Sequence, residues 1–110
     1  MKILSKLVVQ NARTVRVLLQ FPISIELPRA SSFKISWGAK NIAVKGVGKL
    51  SGTLFELHLE EQPAFPIFEG CKYESFPDDC LSKIKIAYEG KIRQENGEAL
   101  GERLEFQVIL

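Results

Sequence analysis

Histidine and tryptophan occur once each in this 110-residue chain and cysteine only twice. The one histidine, His58, has no second imidazole to share a metal, and Cys71 and Cys80 have eight residues between them, which matches no zinc spacing. The same scarcity leaves a nucleophile–base–carboxylate triad without its parts. Two cysteines cannot make a disulfide framework, so free thiols in a reducing compartment are expected. No apolar run approaches the roughly 18 residues of a membrane-crossing helix. The start, Met1-Lys2-Ile3-Leu4-Ser5-Lys6, has no small-residue cleavage site and no Arg/Ser-rich character, so no removable targeting segment is expected. Hydrophobic residues make up 45% and charged residues 25%, which excludes a disordered chain and suits one folded core.

Other catalytic patterns are also absent. Asp78-Asp79 and Glu60-Glu61 are adjacent pairs whose side chains diverge on a helix or strand, so they read as solvated surface, not as acid and base. Gly46-Val47-Gly48-Lys49 lacks the first glycine and the final Ser/Thr of a phosphate loop. The sequence therefore predicts no enzyme, no metal, no cofactor and no small-molecule substrate.

What is present is a charge asymmetry. The net charge of +2 hides nine basic residues against one acid, Glu26, in residues 1–49, and six basic against twelve acidic in residues 50–110. Those halves carry +8 and −6, which suggests two kinds of partner.

Periodicity points to strands. Val15, Val17, Leu19 and Phe21 alternate with more polar neighbours, as do Ile23, Ile25 and Leu27, then Phe33, Ile35 and Trp37, then Ile42 and Val44. Asn11, Pro28 with Ser31-Ser32, and residues 38–41 mark the turns. Such short alternating strands suit an antiparallel sheet packed on one side, with Arg16, Lys34 and Lys45 on the other. Residues 82–88 and 104–110 alternate again and predict a terminal hairpin.

Residues 48–62 admit two readings. As a strand, Phe55, Leu57 and Leu59 share a face. As a helix, Val47, Leu50, Leu54 and Leu57 form one stripe, Thr53 and Glu56 have capping-box spacing, and Pro63 stops the helix. The Leu- and Glu-rich composition favours the helix. The expected fold class is therefore α+β: a small antiparallel sheet packed against one helix, with a C-terminal hairpin. A helix beginning there would offer an anion site between Lys45 and Lys49, extended by Arg16, Lys34 and Lys40. His58 would be a partly packed helix residue.

The order of residues also resembles the repeated unit of ribosomal protein six of the bacterial-type large subunit. Pro22-Ile23-Ser24-Ile25-Glu26-Leu27-Pro28 is similar to its proline-bounded strand, and residues 33–37 to the strand that follows. Asn41-Ile42-Ala43-Val44-Lys45-Gly46-Val47-Gly48-Lys49 is similar to its apolar strand ending in Val-Lys-Gly before a helix. Pro63-Ala64-Phe65-Pro66 and Gly70-Cys71-Lys72-Tyr73 resemble its proline pair and the Gly, aliphatic, basic and Tyr residues beyond. The match covers about residues 6–73 in continuous order.

Three departures stand out: only the carboxyl-terminal unit is recognisable, Ile67-Phe68-Glu69 replaces a Tyr-Lys-Gly-Lys stretch, and residues 74–110 have no counterpart. A reduced, less basic member resembles mitochondrial versions, with plastid or bacterial origin less favoured. The resemblance implies a structural constituent of the mitochondrial large ribosomal subunit near its factor-binding region. It implies an α+β unit over residues 1–73, and ribosomal RNA held by Arg16, Lys34, Lys40, Lys45, Lys49 and Lys72. Residues 74–110, with five basic and eight acidic side chains, would contact neighbouring ribosomal proteins. The rival expectation is a stand-alone β-rich adaptor or inhibitor without RNA.

Overall fold

The computed structural model describes residues 1–11, 13–62 and 84–109. The strands are β1 (Lys2–Asn11), β2 (Thr14–Gln20), β3 (Phe33–Trp37), β4 (Lys40–Ile42), β5 (Val44–Lys49), β6 (Leu54–Leu59), β7 (Ile84–Tyr88) and β8 (Glu105–Ile109). The one helical element among the described residues is a single 3-10 turn at Ala30–Ser32. Five strands form one sheet in the order β5-β6-β2-β1-β8, and three form another in the order β4-β3-β7. All neighbouring strands run antiparallel except β1 and β8, which are parallel.

Alternation in the sequence becomes alternation in burial. Ile3, Leu7, Val15, Val17, Leu19, Phe55, Leu57 and Leu59 face inward from the larger sheet, and Phe33, Ile35, Trp37, Ile42 and Ile84 from the smaller. They join in one core. Phe33 of β3 meets the Phe106 ring of β8 edge-on at 6.3 Å, which ties the layers together. The chain passes between sheets through one residue, Ala43, followed by a β-bulge between Val44 and Gly46. Bulges of this kind let a strand turn a sandwich corner.

The expected α+β class is corrected to an almost entirely β fold. Residues 54–59, read as helix, are β6, held between β2 and β5. The cause is energetic. Leu and Glu differ from strand formers by only a few tenths of a kcal/mol per residue in helix propensity. Burying Phe55, Leu57 and Leu59 on one face contributes about 1.5–3 kcal/mol each. Leu50, placed on the helical stripe by its spacing, is 56% exposed. Ser51, not Thr53, organises the turn before β6. Its Oγ accepts the N–H of Leu54 at 3.0 Å, while the Leu54 carbonyl accepts the N–H of Leu50 at 2.9 Å.

The expected C-terminal hairpin is also corrected. β7 pairs with β3 in one sheet and β8 with β1 in the other, so the two strands never share a ladder. Both contribute to the common core. Between β7 and β8, a small turn closed by Asn96-Gly97 docks on residues 24–26 through backbone bonds such as Glu26 N–H to Arg93 O at 2.8 Å. The run at Ile23, Ile25 and Leu27, framed by Pro22 and Pro28, makes only the isolated bridge Ile25–Gln94.

Candidate nucleic-acid interface

The residues expected to meet RNA lie on different surfaces. Arg16 is on the outward face of β2, opposite His58 of β6. Its Nη1 donates to Glu56 Oε1 at 3.0 Å, and the same oxygen lies 3.3 Å from His58 Nε2. Lys49 ends β5 with its Nζ 3.2 Å from Glu95 Oε1. Lys45 is exposed at the β5 bulge and lines a shallow depression of about 200 Å3 with Thr14, Arg16, His58 and Glu61. Lys34 projects from the outward face of β3, and Lys40 sits exposed at the β3–β4 turn opposite Trp37. Lys72, Cys71 and Cys80 fall outside the described residues.

The helix N-terminus expected to orient Lys45 and Lys49 around an anion does not exist. β5 and β6 form a hairpin there, so the backbone N–H groups belong to a sheet ladder and to the Ser51 turn. His58, expected on a helix flank, stands on the outward face of β6 beside Glu56.

One grouping was missed from sequence. Lys85 of β7 lies opposite Ser36 on β3, and Lys34 lies opposite Ala87 on β7. The two lysines are diagonal neighbours on the outward face of the smaller sheet. Among the described residues the remaining outward positions are Ser36, Asn41 and Ala87, with no carboxylate in register, while Glu60 borders Lys34 and Asn41 in a depression at the edge of the face. The alternation of residues 82–88 carried the signal. That alternation marks a strand, but its expected partner is residues 104–110 in a hairpin, whereas β7 pairs with β3. Such a face can take a phosphate from two ammonium groups, with hydroxyl and amide donors between them.

No catalytic arrangement competes with it among the described residues. A cleft of about 370 Å3 between residues 26–32 and 88–93 mixes Glu26 and Glu89 with Arg29, Lys91 and Arg93. The Tyr88 hydroxyl there accepts the Arg29 backbone N–H at 3.1 Å. Among the described residues no group of three or more His, Cys, Asp or Glu side chains could hold a metal ion. Compared with known proteins, the chain matches no protein-family model, no curated protein and no solved structure.

Proposed function

We propose that this chain is a non-catalytic constituent of a large ribosomal subunit, the mitochondrial one, and that it holds ribosomal RNA by its phosphates. The contact surface is the outward face of the β4-β3-β7 sheet, with Lys34 and Lys85 as the phosphate-neutralising side chains; Lys40, in register with the inward-facing Trp37, belongs to the other side of the sheet. The observation that supports RNA contact is the diagonal pairing of those two lysines on a face whose in-register positions, among the described residues, carry no carboxylate. Arg16 and Lys49, by contrast, are held by Glu56 and Glu95. The ribosomal part rests on the ordered resemblance over residues 6–73, in which β6 stands where the family places its helix. Neighbouring proteins of the particle would meet the chain through its C-terminal third.

A second reading, a stand-alone β-rich interaction module, is favoured by those same two ion pairs, which leave the surface less basic than the sequence of residues 1–49 suggests. Sedimentation separates the readings. Co-migration with large subunits through a moderate salt wash, lost at lower salt in Lys34→Glu/Lys85→Glu, supports the first. A free monomer at every salt concentration, or a double variant that stays bound as well as wild type, overturns it.

A further inference from the structure

An open sheet ends in two edge strands, each offering unpaired backbone groups to a further strand. Among the described residues the edges are β5 and β8 in the larger sheet and β4 and β7 in the smaller. Three of them carry a safeguard. β5 has its bulge between Val44 and Gly46, two glycines, and Lys45 and Lys49. β4 is only three residues long, and β7 carries Lys85. β8, Glu105-Phe106-Gln107-Val108-Ile109, has no proline, glycine, lysine or arginine. Its register with β1 runs unbroken from Lys2–Glu105 to Lys6–Ile109.

The Glu105 N–H reaches Met1 O at 2.8 Å, so the backbone groups of Glu105, Gln107 and Ile109 point to β1. Those of Phe106 and Val108 alternate with them and point to the other side, where no described strand pairs. The Phe106 and Val108 side chains are half-buried on the core face, and Gln107 is exposed on the outward face.

We infer that this edge is a contact between copies of the chain, in which β8 pairs antiparallel with β8 of a second copy about a two-fold axis at Gln107. The strand is complementary to itself in that register. Phe106 lies opposite Val108 of the second copy on both sides of the axis, and the edge-facing groups of each pair exchange both N–H···O bonds. The same pairs set an aromatic against a β-branched side chain on the core face, a favourable cross-strand combination. Gln107 meets its own copy at a position without ladder bonds, where Cα atoms stand about 4.5 Å apart and one side-chain amide can donate to the other. Glu105 falls opposite Ile109 of the second copy, with that copy's Lys6 in register beyond it, and not against a second Glu105. A slide of one residue sets core-facing side chains against outward ones. A slide of two leaves only residues 105–107 or 107–109 facing one another. Such a contact is isologous and closes at two copies.

The inference goes beyond the RNA reading, since it concerns the chain outside any particle and uses neither Lys34 nor Lys85. Sedimentation equilibrium of the full chain is expected to show a reversible monomer–dimer equilibrium across the micromolar range. Gln107→Lys and Gln107→Glu each place like charges across the axis and should weaken the dimer by at least about tenfold. Gln107 is exposed, so the thermal unfolding of both dilute variants should match that of dilute wild type. Mixed in equal amounts, the two variants should recover the dimer, because Lys then faces Glu.

A monomer at every concentration overturns the inference, and resistance of the Phe106 and Val108 amides to hydrogen exchange in it would assign the edge to another segment of the same chain. A dimer as strong in Gln107→Lys as in wild type, or a mixture that recovers nothing, overturns it as well, because the contact then lies elsewhere. Lys34→Glu/Lys85→Glu should dimerise like wild type, which keeps failure of this edge distinct from failure of the RNA reading. Loss of the dimer in that double variant moves the contact to the smaller sheet and overturns the inference.

Discussion

At the scale of single residues, the ion pairs decide which basic side chains are available. Arg16 and His58 both approach one oxygen of Glu56, whose side chain is 19% exposed. An exposed or half-exposed pair of this kind contributes up to about 1 kcal/mol to stability, and the Glu56 carboxylate offsets the positive charge that a phosphate would meet at Arg16. Arg16→Ala should therefore leave RNA affinity unchanged in a filter-binding titration. Lys34→Ala and Lys85→Ala should each weaken binding and reduce the slope of log K against log salt by about one. A loss with Arg16→Ala as large as with Lys34→Ala would return the contact to the larger sheet. Gly52 shows a different constraint. A Cβ there would stand 2.8 Å from Ser24 Oγ and 3.1 Å from Glu95 Oε1, because the Gly52 carbonyl accepts the Ile25 N–H at 3.0 Å and draws the segments together. Gly52→Ala is expected to cost about 1–2 kcal/mol in urea unfolding, and adding Ser24→Ala should recover part of the loss.

At the scale of elements, β6 shows where sequence reasoning succeeds and where it stops. The strands at residues 14–20, 33–37 and 84–88 were legible because β-branched and aromatic residues alternate there with polar ones. Leu54-Phe55-Glu56-Leu57-His58-Leu59 also alternates, but leucine and glutamate suit a helix, and Leu50, Leu54 and Leu57 fall on helical spacing as well. Local preference could not choose between two patterns. The neighbours did: β2 supplies a ladder and an apolar face that only an extended β6 can match. The interface followed the same logic, since Lys34 was legible from strand period and Lys85 required knowing which strand lies beside β3. The two patterns predict opposite outcomes for two leucines. Leu57→Ala, at a fully buried position, should lower stability by about 2–5 kcal/mol, while Leu50→Ser, at an exposed one, should stay within about 0.5 kcal/mol of wild type. Chemical denaturation of both variants checks this directly, and a loss at Leu50 as large as at Leu57 would contradict its exposure.

At the scale of the molecule, the two sheets cannot be divided along the chain. β1, which begins at Lys2, is paired on one side by β2 and on the other by β8, whose partners run from Lys2–Glu105 to Lys6–Ile109. β3 is paired by β7 from Phe33–Tyr88 to Trp37–Ile84. Removing everything after residue 73 would strip both of those ladders, open one side of β1 and of β3, and take Ile84, Ile92 and Phe106 from the common core. The ladders stripped in this way join segments far apart in sequence, so residues 1–73 have no compact alternative core to fall back on. A fragment of residues 1–73 should therefore give a poorly dispersed amide spectrum and no cooperative thermal transition, whereas the full chain is expected to give both dispersion and cooperativity. The outcome bears on the ribosomal resemblance as well as on the fold. A unit that folds over residues 1–73 by itself would require the helix-backed sheet of that family, with residues 74–110 as an appendage. A fragment that fails to fold makes β7 and β8 integral to both sheets, each completing a ladder that the first 73 residues leave open.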